Sequence, residues 1–576
     1  MKRRIMFGVA LLLLAVVSTG ALFAPCARWT PGHDLPFHLA RIQSIAQGLR
    51  AGVIPVRLYA TQAHGFGYPT GLCYPDLFLY LPGLLVAWGM HPWPAYVVFV
   101  LLVNLATAVI AYHVFSTVLR SPRAGLVCAT LWTLAPYRLC DVLLRAAVGE
   151  YLALVFAPLI VLGLWRVFLD DTTPEGAGWI TLALGASGIL YSHILSVIMF
   201  LPVSLLAMLP LARRRKKDGW GRAIAKAAVL TLLLCAAFLV PLFDYYLHHD
   251  LGVKYFGNSA YEHSLYPGQF LIPFWPFDGL SLSLDQGLLG EMPLQIGLSL
   301  TAVLVLGFVW LRVPSVRAAD AAADGEADGV EKLADWVGLL AWASLIVLLL
   351  TTCLFPWGLA GPLATIQFPW RLLGVASLLL VVLAGVLVGC TSLRLRTFWI
   401  VCLAVCLVEG VYCGVSFALH AQPLDVTATT VEGDDIGMGE YVPIQQSKDF
   451  FDDWDSVEPV APAGVEVRDF TRVSAQETRV ALVNTTDRTV RVRLPLFWHQ
   501  QLQVEPHDAG ATLAWDDGYA ALDLAPHADG TYTVTFVEPL VWRIAELVSA
   551  LTLLALVAGL IRARGTVPRA RMHERG

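Results

Sequence analysis

Ionisable side chains gather in four short segments set between long apolar runs. The first reads Gly32-His33-Asp34-Leu35-Pro36-Phe37-His38-Leu39-Ala40-Arg41, a carboxylate just past the first apolar run that can take a proton from a hydroxyl. Asp34 can instead cap the helix that Pro36 opens, because aspartate is a favoured N-cap and proline suits a first helical turn. His33, Asp34 and His38 also leave a divalent metal open, although no further ligand stands at a fixed spacing. The second segment is Tyr137-Arg138-Leu139-Cys140-Asp141, then Arg145 and Gly149-Glu150-Tyr151. Asp141 and Arg145 are four residues apart and can simply pair on a helix face, which leaves Arg138 and Glu150 unaccounted for. A charged group costs about 2.5–3.5 kcal/mol at the bilayer centre, so such a cluster at the edge of a span points to a polar cavity. His193, in Tyr191-Ser192-His193-Ile194, reads either as a hydrogen-bonded hairpin residue or as a site residue. Gln367-Phe368-Pro369-Trp370-Arg371 sets an arginine among interfacial aromatics, where it can snorkel to lipid phosphate or grip the phosphate of a substrate.

The elements that must position these segments are membrane helices. Of 576 residues, 57% are hydrophobic and 14% charged, where a soluble domain carries about 25% charged residues. The mean hydropathy is +0.65, and apolar runs of roughly 17–25 residues recur, the length of a membrane span. A soluble enzyme, a disordered chain and a nucleic-acid binder are thereby excluded. Charge is also divided along the chain: residues 421–540 hold 21 of the 44 acidic side chains and 7 of the 39 basic ones, net −14 against +9 elsewhere. An acidic soluble domain is therefore joined to a basic membrane body. The ten cysteines include none in the acidic domain and no C-x-x-C pair, which argues against a zinc site or a disulfide framework and leaves only Cys26 with Cys73 as a candidate pair.

Lys2, Arg3 and Arg4 precede the first apolar run, which reads as a signal-anchor helix rather than a cleaved peptide. Basic clusters at Arg120–Arg123, Arg213–Lys217, Arg312–Arg317, Arg394–Arg396 and Arg562–Arg571 mark the cytoplasmic side. Alternation holds only if one apolar run does not cross. Tyr74–Met90, broken by Pro75, Pro82 and Gly83, is the run expected to lie at the surface. Spans near 94–118, 122–136, 150–168, 178–192, 194–211, 223–243, 292–312, 334–353, 372–390, 397–418 and 541–562 follow the first helix, about twelve in all. Segments 26–93, 137–149, 244–291 and 354–371 then fall outside with the acidic domain, and the acidic linker Asp320–Glu331 inside. The outer loop around Tyr255–Trp275 is rich in aromatics that stack on sugars but also populate any interface. No inverted repeat is visible, which weighs against a secondary transporter.

Beyond Leu419 the apolar period becomes two. Arg479–Val483, Thr489–Leu494, Tyr519–Leu524 and Thr531–Val537 read as strands separated by turn signals, and predict an extracytoplasmic β-sandwich; Phe450–Asp455 reads as loop. Asn484-Thr485-Thr486 matches a glycosylation sequon, a signal three residues long. No nucleophile, base and orienter assemble in this domain.

The order of these pieces resembles the GT-C superfamily of membrane glycosyltransferases. More closely, Asp34 with His38 and Arg41, Gly67-Tyr68-Pro69, Tyr137-Arg138 with Asp141, Arg145 and Gly149-Glu150, Ser192-His193, Gln367-Phe368-Pro369-Trp370-Arg371 and Gly439-Glu440-Tyr441-Val442-Pro443 are similar to the bacterial membrane family labelled 6-pyruvoyl-tetrahydropterin synthase-related. That label is not an activity, since nothing here resembles the small zinc-dependent pterin synthase. The superfamily implies transfer of a sugar from a polyprenyl-phosphate carrier to an outer acceptor, with the first-loop acid as base. A single acid, Asp34, stands there instead of an adjacent acidic pair, which sets metal dependence in question.

The sequence therefore predicts a mainly α, polytopic GT-C-like body over residues 1–420, a β-domain over 421–540, and a last span with a basic cytoplasmic tail over 541–576. The expected protein sits in a bacterial cytoplasmic membrane and works outside it on a polyprenyl-phosphate-linked sugar and an envelope glycan or lipid acceptor, without nucleic acid. Asp34 is the expected base; His38, Arg41, Arg138, Asp141, Arg145, Glu150, His193, Gln367 and Arg371 are the expected substrate-binding residues. No cofactor is assigned. The alternative is a non-enzymatic transporter or assembly partner for envelope polysaccharide.

Overall fold

The computed structural model describes residues 2–23, 28–29, 34–170, 177–215, 219–254, 260–271, 292–313, 327–390, 396–420, 422–423, 439–442, 457–506 and 510–565. Cys26, His33, Phe450–Asp455, Pro443 and most of the acidic linker lie outside these residues, as does much of Tyr255–Trp275. Among the described residues, seven helices are long and apolar enough to cross a membrane: Arg4–Phe23, Pro92–Val118, Val148–Phe168, Trp220–His248, Pro369–Val388, Arg396–Leu419 and Leu540–Arg562. An eighth is counted if Pro122–Thr133 and Pro136–Leu144, bent by 47°, form one broken span. The spans expected at 178–192, 194–211, 292–312 and 334–353 correspond to shorter apolar helices, Ala177–Leu190, Ile194–Pro210, Gly297–Arg312 and Ala334–Leu350, so a count of twelve is not established. The proline-broken run after Tyr74 holds a helix over Leu77–Ala87, far short of the roughly 20 residues a span requires.

Local chemistry explains the boundaries that matter for the site. The helix Pro92–Val118 starts where His91 accepts the Trp93 N–H at 3.3 Å, and Pro122–Thr133 starts where Ser121 accepts the Ala124 N–H at 3.3 Å. Pro136 holds Ala135 extended and breaks that second helix; the chain restarts as a turn, Pro136–Leu139, and a π-turn, Cys140–Leu144. Residues 137–144, expected as loop, are thus helical, and they are buried. The following helix Val148–Phe168 lies backbone to backbone against Ala177–Leu190: a Cβ on Gly163 would come within 2.6 Å of Leu182 Cα, so this contact depends on glycine.

In the C-terminal domain β3 (Val465–Ser474), β4 (Glu477–Asn484), β9 (Asp529–Phe536) and β6 (Leu502–Glu505) form one antiparallel sheet in the order β3-β4-β9-β6. A second sheet has the order β5-β8-β7, from Val490–Phe497, Tyr519–Leu524 and Ala511–Asp516. The remaining two strands, β1 (Arg28–Trp29) and β2 (Gln422–Pro423), pair with each other. Val480, Leu482, Val492, Leu494, Leu522 and Val534 fill the space between the sheets, as alternation requires. Asn484 is buried and its Nδ2 donates to the carbonyls of Arg488, Leu524 and Ala525 at 2.8, 3.3 and 2.8 Å, so the sequon reading is dropped. The domain is bonded to the first loop: Phe497 N–H donates to Phe66 O at 2.8 Å, Arg472 to His64 O, and His499 bridges Gly67 O and Tyr245 Oη at 3.1 and 2.9 Å.

Candidate active site

The site is built where the first loop meets the broken helix. Asp34 occupies the N-cap position of the helix Leu35–Arg50, with Pro36 in the first turn, yet its side chain makes no capping hydrogen bond. Its backbone does the positioning: the Asp34 N–H donates to the Arg145 carbonyl and the His38 N–H to the Asp34 carbonyl, both at 3.0 Å. The residue is exposed and lies beside Arg145.

Arg145 is held between two carboxylates. Its Nη1 lies 2.5 Å from Asp141 Oδ1 and 2.9 Å from Glu150 Oε2, and all three side chains are buried. The π-turn sets the spacing, since the Arg145 N–H reaches back to Cys140 O at 2.9 Å. Tyr137 donates its hydroxyl to Glu150 Oε1. Asp141 Oδ2 is buried and has no hydrogen-bond partner among the described residues. The pairing of Asp141 with Arg145 is therefore real, and it is one edge of a larger cluster.

From the far end of the chain Arg371 completes it, with Nε 3.4 Å from Glu150 Oε2. Arg371 Nη1 donates to Ile366 O and Gln367 Oε1 at 3.0 and 3.2 Å, and its guanidinium lies 4.6 Å from the Phe368 ring centroid. Gln367, at φ +62°, thus acts through Arg371. Arg371 Nε is buried and makes no hydrogen bond among the described residues.

Tyr74 joins the two halves. Its hydroxyl, pushed up to about 12 by burial, feels the charges of Arg41, Asp34, Arg371 and Glu150. Gly149 makes room for it, since a Cβ there would collide with the Tyr74 hydroxyl and stand 2.8 Å from Ser192 O. His193 is buried, bonds Ser196 Oγ at 2.9 Å, and is depressed to about 3 by burial and then by Arg371. His38 is likewise held well below the usual histidine range, by burial and then by Arg41. Both rings are neutral at ordinary pH.

Two expected site residues are turned to structural use. Arg41 Nη2 donates to Pro75 O at 2.7 Å and its guanidinium sits 4.3 Å from the Tyr74 ring centroid, so it supports Tyr74 from below. Arg138 points into the bundle, donating to Thr133 O, Asn104 Oδ1 and Thr107 Oγ1 at 3.0, 2.5 and 3.0 Å. The structure thus gathers Asp34, His38, Asp141, Arg145, Glu150, His193 and Arg371, with Gln367 behind, and sets Arg138 aside. Tyr74 and Tyr137 were missed as site residues; adjacency to Pro75 and Arg138 was the only signal. Asp76 was missed too: it accepts from Tyr59 Oη at 2.9 Å, and burial pushes it up to about 6. No group of three His, Cys, Asp or Glu side chains able to hold a metal occurs among the described residues, which do not include His33.

Fold and site together define a helical membrane protein with a C-terminal β-sandwich and a buried ionic cluster. No family model matches the chain, so the expected likeness to the 6-pyruvoyl-tetrahydropterin synthase-related family is not shown. An uncharacterized protein of Lactococcus lactis subsp. cremoris (strain MG1363) is 24% identical over 273 residues, 45% of this chain and 42% of that one. The crystal structure of the Archaeoglobus fulgidus oligosaccharyltransferase in complex with Zn and sulfate is similar over 72% of this chain and 54% of that one, at 13% identity and a TM-score of 0.33. The chain spans about half the length of the proteins it matches.

Proposed function

We propose that this protein is a membrane glycosyltransferase that moves a sugar from a polyprenyl-phosphate carrier to an envelope acceptor on the extracytoplasmic side. One observation carries the reading: the bond from the Asp34 N–H to the Arg145 carbonyl, 3.0 Å, brings an exposed aspartate to the edge of the Arg145–Glu150–Arg371 cluster. Asp34 takes the proton of the acceptor hydroxyl as its oxygen bonds to the sugar's anomeric carbon. The bond from that carbon to the phosphate oxygen breaks, and the carrier leaves as a polyprenyl phosphate with one more negative charge.

That charge needs a cation. Arg145 is already matched by two carboxylates, Asp141 and Glu150, whereas Arg371 has only a share of Glu150 and so carries charge to spare for a phosphate oxygen. Arg371 is therefore the phosphate ligand, and Arg145 the strut that holds Glu150 and, through its carbonyl, Asp34. The test compares retention of polyprenyl phosphate and of polyprenol by native mass spectrometry. Wild type retains the phosphate at least tenfold better, and Arg371→Gln loses that preference. Equal retention of the two lipids by wild type refutes the donor assignment and leaves the assembly-partner reading.

A further inference from the structure

We propose that residues 354–366 dip into the hydrocarbon edge of the membrane leaflet nearest the Asp34–Arg371 cluster, and so set the depth at which that cluster meets lipid headgroups. The inference is independent of whether sugar is transferred. The segment connects the helix Ala327–Leu350 to the span that begins at Pro369, and no charged residue occurs from Thr351 to Trp370. Leu354, Leu359 and Leu363 are 66%, 87% and 60% exposed. The loop that presents them is firmly anchored. Trp357 is buried, donates Nε1–H to Leu350 O at 3.1 Å, and packs edge-on to Phe355 at 4.8 Å between centroids. Residues 260–271 clamp its start: the Leu265 N–H donates to Thr351 O at 2.8 Å and the Cys353 N–H to Leu265 O at 2.9 Å.

Exposed leucines taken singly are ordinary on any protein surface. These continue an exposed apolar surface on the preceding helix. On the preceding helix Trp342, Ile346 and Leu349 are exposed at spacings of four and three residues, one outward stripe, and the loop leucines extend it beyond the helix end. Hydrocarbon demands that backbone N–H groups bond internally, and much of this segment does so. The tight turns Trp357–Leu359 and Gly361–Ile366 do this: Leu359 N–H donates to Pro356 O, Ala360 to Trp357 O, Leu363 to Ala360 O and Gln367 to Ala364 O, at 2.9–3.1 Å. Pro356 and Pro362 have no N–H to satisfy. The occupant of this surface is lipid acyl chain, reached by roughly 5–10 Å of penetration below the headgroups. The stacked pair Phe368 and Trp370, 4.6 Å apart, then leads directly to Arg371 at the level of lipid phosphate.

The test places nitroxide labels at Leu354→Cys, Leu359→Cys and Leu363→Cys, singly, in a variant freed of native cysteines and held in phospholipid nanodiscs, with Asp517→Cys as the aqueous control. Collision with oxygen exceeds collision with a water-soluble nickel chelate at the three leucine sites, and the order reverses at Asp517. Chelate-accessible labels at the leucine sites overturn the proposal. So do labels shielded from both reagents, which would mean a protein neighbour such as a second copy of the chain. A second measurement needs no variant: a lipid with a photoactivatable diazirine on its acyl chain labels the wild-type protein, and adducts are mapped by peptide mass. Adducts between residues 351 and 366 support insertion; labelled flanking helices with none in this segment overturn it.

Discussion

Replacing Asp34 separates a helix cap from a catalytic base, because the two roles predict opposite pairs of results. A side chain that caps a helix is worth about 0.5–2 kcal/mol. Asp34 holds the cap position without a capping bond from its carboxylate, and its backbone contacts to Arg145 and His38 survive substitution. Asp34→Ala therefore loses no capping bond and is expected to cost no more than about 2 kcal/mol. Removing a general base lowers turnover by about 10²–10⁴-fold, equivalent to about 3–5 kcal/mol of transition-state stabilisation. Asp34→Asn keeps nearly the same shape but cannot accept the proton, so it should lose transfer as fully as alanine does. The assay measures single-turnover transfer from membrane-extracted lipid-linked sugars to envelope glycan, alongside unfolding of the same nanodisc samples. Wild-type turnover in Asp34→Asn refutes the catalytic assignment. A loss above about 2 kcal/mol in Asp34→Ala, with activity falling only as the folded fraction falls, shows that the carboxylate is structural.

Glu150→Gln removes the carboxylate that Arg145 and Arg371 share, so it should destabilise by about 3–5 kcal/mol, measured by denaturant unfolding and far exceeding Asp34→Asn. Gly149→Ala drives a methyl into Tyr74 and should cost about 1–3 kcal/mol, with Tyr74→Phe in the same chain recovering part of the loss. His499 is depressed to about 3 by burial and by His249, so the folded state resists its protonation. Its contribution is complete above about pH 6.5 and falls as pH drops toward 3, by about 2 kcal/mol at pH 5. Limited proteolysis of the β-domain across this range should show the loss, and His499→Gln should flatten it. For topology, Asp517→Cys should react with an impermeant thiol reagent on intact cells and Arg123→Cys should not.

Much of the architecture was legible because each signal is local. Long helices appear as uninterrupted apolar runs, and strands β4, β5, β8 and β9 as alternation between turn residues, so both lie within a few residues of where the pattern puts them, although the number that cross a membrane is not shown. Strands β3, β6 and β7 were not anticipated, being short or of weak alternation, and their burial patterns are irregular or only four residues long. In the sequence the broken helix at Pro136 reads as the end of a span, because proline announces a break but not the direction in which the chain resumes.

For the candidate site the sequence alone determined which groups are costly to bury, and hence that Asp141, Arg145, Glu150 and Arg371 need partners. It could not determine the partners, because residue type carries no information about which distant segment lies opposite. Arg138 and Arg145 look alike seven residues apart. Only the bend after Thr133 and the π-turn Cys140–Leu144 turn Arg138 toward Asn104 and Arg145 toward Glu150. Arg371 reaches Glu150, and Asp34 reaches Arg145, across more than a hundred residues of intervening chain. Those contacts are made by helix packing, in which closely apposed backbones such as Gly163 against Leu182 set the position of every side chain on the element.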